Sequence, residues 1–139
     1  MMHTAYLSLG SNLGNRQDNL TAAINEIGKR IGHVKAQSAF LDTQPWGFES
    51  SHIFLNAAVC VETELSPFDL LRHTQQIERD LGRTEKTRNG HYNDRIIDID
   101  ILLYDDIHIS TPTLTIPHPL MQERDFVLIP LTEILPKKE

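Results

Sequence analysis

The chain has 139 residues, the size of one domain, and a domain of that length buries roughly two-thirds of its unfolded surface without staples. A net charge of −6 argues against a general nucleic-acid binder, and the single cysteine, Cys60, excludes an internal disulfide and fits a reducing compartment. The start, Met-Met-His-Thr-Ala-Tyr, has no basic patch ahead of an apolar core, and no run approaches the roughly 20 apolar residues of a membrane span. A soluble, cytoplasmic, single-domain protein over 1–139 is therefore the expectation.

Residues 4–9, Thr-Ala-Tyr-Leu-Ser-Leu, read as a short strand ending at Gly10. Asn15 is an N-cap, and Leu20, Ala23, Ile24, Ile27 and Ile31 follow at helical spacing. Gly32 is placed to end that helix in a left-handed conformation. Residues 33–40 read as a second strand and 42–51 as a loop. Residues 53–62 read as a third strand, with Leu55, Ala57, Val59 and Val61 on one face and Phe54 and Asn56 on the other. That second face is expected to be open to a ligand.

Ser66-Pro67 is a cap followed by proline at the first helical position. Leu70, Thr74, Ile77 and Leu81 then form a buried stripe closed by Gly82. A loop leads to a fourth strand over 95–104, Asp105-Asp106 turns the chain into a weaker hairpin over 107–116, and a proline-containing tail of loop and short helix follows. The order β-α-β-β-α-β with a C-terminal hairpin predicts an α+β fold with a ferredoxin-like βαββαβ core and a largely antiparallel sheet.

The fourth strand carries the strongest chemical signal. In "NDRIIDIDILLY", alternation puts Asp98 and Asp100 on one side and Ile97, Ile99 and Ile101 on the other. Two carboxylates one pleat apart suit Mg²⁺, which takes few protein oxygens and keeps phosphate ones. The alternative is a wet polar face on a half-exposed strand. Arg79, Arg83, Lys86, Arg88 and Arg95 fall within seventeen residues just before the pair, which points to a phosphorylated small molecule or to a plain solvated loop. Gln75 and Glu78 share a helix face and read either as contacts to a purine or ribose or as ordinary surface.

His118 sits between Pro117 and Pro119, with Arg124 and Phe126 shortly after. It is a phosphate donor or a turn histidine without a task, and Arg124 offers a planar fork to another phosphate oxygen. Phe54 and Phe126 read as a sandwich for a flat ring, with Asn56 at its edge, or as core. "LGSNLGNR" lacks the ending of a P-loop and the spacing of a dinucleotide fingerprint, so it reads mainly as a strand-to-helix turn.

Six separated segments, "LGSNLGNR", "TQPWG", "FLNAAV", "HTQQIERDLGR", "DRIIDIDILLY" and "IPHPLMQERDFVLIPL", together resemble the 6-hydroxymethyl-7,8-dihydropterin pyrophosphokinases of folate biosynthesis, in that family's order. The resemblance implies that Asp98 and Asp100 bind two Mg²⁺ ions bridging ATP phosphates, and that Arg83 and Arg95 join them in catalysis. It implies ATP contacts from Gln75, Glu78, Arg83, Arg95, Ile101, His118 and Arg124. It implies that Thr43, Gln44, Trp46 and Asn56 read the pterin edge, that Phe54 and Phe126 sandwich the ring, and that Tyr92 takes the place of an aromatic closing over it. The substrate's hydroxymethyl oxygen would attack the β-phosphorus of ATP and AMP would leave, a transfer that needs in-line positioning and charge neutralisation. No strong general base stands out among these residues.

The chain departs from that family's usual pattern in places. Tyr92-Asn93-Asp94 precedes Arg95 where Gly-Pro is usual, Glu85 stands where some members carry an arginine, and Pro119 stands where some carry tyrosine. The expected partners are ATP and 6-hydroxymethyl-7,8-dihydropterin, with no nucleic acid and no membrane, for a monomer whose loop 84–94 closes over both substrates. The competing readings are an Asp-x-Asp nucleotidyltransferase and a non-enzymatic ligand-binding module on the same scaffold.

Overall fold

A computed structural model of the chain describes residues 2–43, 54–82, 96–119 and 121–136. The predicted loop 84–94 and most of the predicted loop 42–51 lie outside the described residues, as do Gln44, Trp46, Arg83, Tyr92 and Arg95.

The first strand, β1, runs His3–Ser11 and turns Ala5, Leu7 and Leu9 inward, each fully buried. Asn15 caps helix α1 (Arg16–Arg30): its side chain accepts the Asp18 N–H at 3.0 Å, satisfying one of the orphan donors of the first turn. Leu20, Ala23 and Ile27 are buried at the predicted spacing.

Gly32 corrects the sequence reading. Helix α1 ends with Ile31 in right-handed geometry, its N–H bonded to the Ile27 carbonyl at 2.9 Å, and Gly32 already opens strand β2 (Gly32–Gln37). A Cβ at Gly32 would stand 1.9 Å from the Glu62 carbonyl oxygen, so the glycine is required by close strand approach rather than by a left-handed turn. The Thr63 hydroxyl donates to the Ile31 carbonyl at 2.7 Å and closes the helix end instead.

The strand predicted over 33–40 stops at Gln37. After β2 the backbone N–H of Ser38 donates to the Ala58 carbonyl at 2.9 Å, while its hydroxyl accepts the Ala58 N–H at 2.9 Å. A side-chain oxygen thus stands in for a ladder carbonyl and the main chain is released for three residues. It rejoins as β3 (Leu41–Thr43) on the same neighbour, β4 (Phe54–Thr63), so the start of the predicted loop is strand.

Ser66 caps helix α2 (Pro67–Gly82), accepting the Asp69 N–H at 3.3 Å, and Leu70, Thr74 and Ile77 are buried. Strand β5 spans Asp98–Tyr104. The sheet order is β2-β4-β1-β5, every neighbouring pair antiparallel, with β3 paired to β4. The predicted hairpin is a separate pair of two-residue strands, β6 (Ile109–Ser110) and β7 (Thr115–Ile116). The tail holds a short 3-10 turn, Met121–Glu123, and helix α3 (Asp125–Ile134).

Helices α1 and α2 share one face of the sheet, where Leu20, Ile27, Leu70 and Ile77 pack with Leu7, Val59 and Ile99 in one buried cluster. The face predicted to be open is half covered. Leu102 follows Asp98 and Asp100 in alternation, and this apolar residue draws in Val127 and Leu131 of α3 as a second cluster. Beyond that apolar cover the same face carries the polar groups Asn56, Asp98 and Asp100.

Candidate active site

Strand register assembles the site. Gly10 of β1 is the Cα partner of Asn56 on β4 and of Asp98 on β5. One pleat on, Ser8 partners Ala58 and Asp100 in the same way. Asn56 and Asp98 are therefore two strand spacings apart, roughly 10 Å, on the face away from α1 and α2. Phe54 lies at the start of β4 on the same face, half-buried, while Asn56 is 3% exposed. Thr43, the last residue of β3, pairs through its backbone with Phe54.

The segment after β7 folds back over the carboxylate strand. The His118 N–H donates to the Leu102 carbonyl at 3.0 Å. Burial pushes the His118 imidazole below its ordinary pKa, the nearby Arg124 cation pushes it further down, and Asp98 opposes both. His118, Arg124 and Asp98 thus lie within one another's electrostatic reach. The Arg124 guanidinium carbon stands 5.6 Å from the centroid of the Phe126 ring, which packs against the Leu102 cluster. Phe126 is thus part core, and Phe54 is half-buried at the start of β4.

Helix α2 contributes at the other edge of β5. The Glu78 carboxylate accepts the Ile99 N–H at 2.7 Å, satisfying an amide of an edge strand between the two aspartates. Gln75 lies on the same helix face and is exposed. Ile101 points the other way: it is 5% exposed and belongs to the helix-side core, which leaves only its backbone for a ligand. Asp98 and Asp100 are half-buried. As a donor set, two carboxylates on one side of a strand fit Mg²⁺ shared with phosphate oxygens.

"LGSNLGNR" is the strand-to-helix turn that was predicted. Ser11 and Asn12 are 0% and 1% exposed, and the Asn19 amide donates to the Ser11 hydroxyl at 3.1 Å and to the Leu13 carbonyl at 2.8 Å. Arg16 ties the turn to β3 through Asp42 at 2.8 Å. Gly10 and Ser8 were missed as site residues. Their signal was the second face of β1, but its neighbours become visible only once register is known. On the same face burial and then the Cys60 thiol push the Tyr6 hydroxyl up to about 12, and burial in turn raises the Cys60 thiol.

Comparison with known proteins gives the same direction. Residues 6–136 match the model of the family described as 7,8-dihydro-6-hydroxymethylpterin-pyrophosphokinase (HPPK). A Porphyromonas gingivalis 2-amino-4-hydroxy-6-hydroxymethyldihydropteridine pyrophosphokinase is 52% identical over 136 residues, covering 97% of this chain and 92% of that one. The Bacillus subtilis protein of the same name is 44% identical over 140 residues, covering 100% of this chain and 82% of its own length. A Plasmodium falciparum HPPK-DHPS structure superimposes with a TM-score of 0.80 at 17% identity, over 100% of this chain and 41% of that one, which shows a shared fold. The chain belongs to the 7,8-dihydro-6-hydroxymethylpterin-pyrophosphokinase family.

Proposed function

We propose that this chain transfers a pyrophosphoryl group from ATP to the 6-hydroxymethyl group of 7,8-dihydropterin, releasing AMP, in folate biosynthesis. The observation that carries the reading is the register that puts Asn56 and Phe54 across one intervening strand, β1, from Asp98 and Asp100 on a single face. A flat ring held by the first pair has its substituent directed at phosphates held by the second. Family membership supports the same reaction.

In this reading Asn56, with the Thr43 backbone, Gln44 and Trp46, reads the donor and acceptor edge of the ring. Phe54 and Phe126 flank its faces, and Tyr92 closes over it. Gln75 and Glu78 hold the nucleoside end of ATP, and His118, Arg124, Arg83 and Arg95 hold its phosphates. Asp98 and Asp100 hold Mg²⁺, two ions by the family resemblance. Held by Asp98 and Asp100, the metal would supply charge neutralisation to the ATP phosphates. The remaining work is positioning, because phosphoryl chemistry of this kind needs no covalent enzyme intermediate.

The strand order β2-β4-β1-β5 with α1 and α2 on one face supports a ferredoxin-like core. The reading takes residues 1–139 as one domain acting in the cytoplasm; among the described residues no helix is long and apolar enough to cross a membrane. A nucleotidyltransferase would need its Gly-Ser element at the phosphates. Gly10 does lie beside Asp98, but Ser11 is fully buried and engaged by Asn19.

Incubation with ATP, Mg²⁺ and the reduced hydroxymethylpterin tests the reading through the nucleotide product. AMP formed only when the pterin is present is the expected result. Pyrophosphate release instead indicates nucleotidyl transfer, and absence of turnover indicates a binding module.

A further inference from the structure

Strand β1 runs between the ring-reading strand and the carboxylate strand, and Gly10 is the residue that partners both Asn56 and Asp98. Among the described glycines only Gly14 has a positive φ, so left-handed geometry does not explain a glycine at position 10. Space explains it. A Cβ at Gly10 would lie 3.0 Å from Asn56 Oδ1 and 3.5 Å from Phe54 Cδ1. The Asn56 amide and the Phe54 ring both lean over the main chain of β1, towards the strand that carries the aspartates. The ring contact would be an ordinary one, whereas the amide contact is tighter than side chains normally tolerate. Asn56 is 3% exposed, so its amide has little room to yield.

We infer that Gly10 is a specificity-determining residue for the heteroaromatic ring: its missing side chain sets the floor height at which the Asn56 amide meets the ring's donor–acceptor edge. The inference rests on the pyrophosphokinase reading and deepens it. A side chain at position 10 meets Asn56 and Phe54 first, whereas the nucleotide contacts proposed on α2 and on the segment after β7 lie on other elements. Displacement of a recognition group by a few tenths of an ångström weakens the ring's hydrogen bonds without removing the pocket. Bare hydrophobic pockets discriminate poorly among flat rings, whereas a fixed amide rejects rings that lack the matching edge.

The test is steady-state AMP release by Gly10→Ala, Asn56→Ser and the double variant, each with a thermal melt. For Gly10→Ala the pterin KM should rise about tenfold, while the ATP KM stays within about twofold. In the Asn56→Ser background, where the shorter side chain removes the conflict, Gly10→Ala should add less than about a twofold effect. An unchanged pterin KM, a parallel rise of both KM values, or full multiplication of the two single effects would overturn the role. If Gly10→Ala does not fold, a folded double variant with the pterin KM of Asn56→Ser alone supports it. Two unfolded chains instead assign the glycine to strand packing. Wild-type turnover separates the two levels. Without it the pyrophosphokinase reading fails, whereas turnover with an unaltered Gly10→Ala fails Gly10 alone.

Discussion

Asp98 and Asp100 occupy the polar side of a strand whose other side is isoleucine, and they are half-buried where Mg²⁺ and phosphate oxygens would meet them. Replacing Asp100 by alanine removes one of two carboxylates from the polar side of β5, while the core packing comes from Ile99 and Ile101 on the other side. Turnover should fall by roughly 10³-fold or more with the melting temperature little changed, read by AMP release and a thermal melt. Undiminished turnover would sink the metal assignment. At this scale the aspartate pair was legible because strand alternation is a local rule. Gly10 and Gly32 were not, because each answers to a residue on another strand, Asn56 and Glu62. A glycine after a helical run has two physical explanations, and only the partner strand decides between them.

Elements are joined by a small number of polar ties whose partners are far apart in sequence. Glu78 on α2 holds the Ile99 amide of β5, fixing the edge strand between its two carboxylates. Glu78→Ala leaves that amide without its charged acceptor, a loss of about 1.5–3 kcal/mol, and should lower the melting temperature by roughly 5 °C. Faster hydrogen exchange at the Ile99 amide in the variant is the specific readout, and unchanged protection there would refute the tie. Glu78→Gln, which keeps an acceptor oxygen, should lose less. The start and the buried stripe of helix α1 were readable because Asn15 and the leucine–isoleucine spacing are local signals, whereas its end at Ile31 was not. The break of the second strand at Ser38 was not, because its hydroxyl substitutes for a backbone group only against Ala58.

Across the whole molecule, the polar site and a second polar cluster lie at opposite ends of the same sheet. At the far end Asp105, with a φ of +48°, accepts the Thr4 N–H at 2.8 Å and the His3 ring nitrogen lies 2.7 Å from its other oxygen. The Thr4 amide, aided by His3 and opposed by burial, holds the Asp105 carboxyl below its ordinary 3.8. The sign follows from linkage: a depressed carboxyl contributes stability above the unfolded pKa and loses it as pH falls through the folded one. The urea midpoint of the wild type should therefore drop more between pH 5 and pH 3 than that of Asp105→Asn; equal drops would refute the assignment. The element order was legible as a whole, since helical and strand periods differ along the chain. Helix α3's position was not, because Leu102 reveals its need for cover only when the sheet face is seen.

Strand β1 leads from that acid-sensitive cluster at His3 to the floor of the site at Gly10, seven residues or roughly 24 Å of extended chain. His108, exposed just beyond the Asp105 turn, belongs to the same distant end. A dye or surface tether attached at position 108 therefore stands clear of the reacting end and presents it outward to solution. A probe at position 11 would instead be forced into the fully buried Ser11 socket.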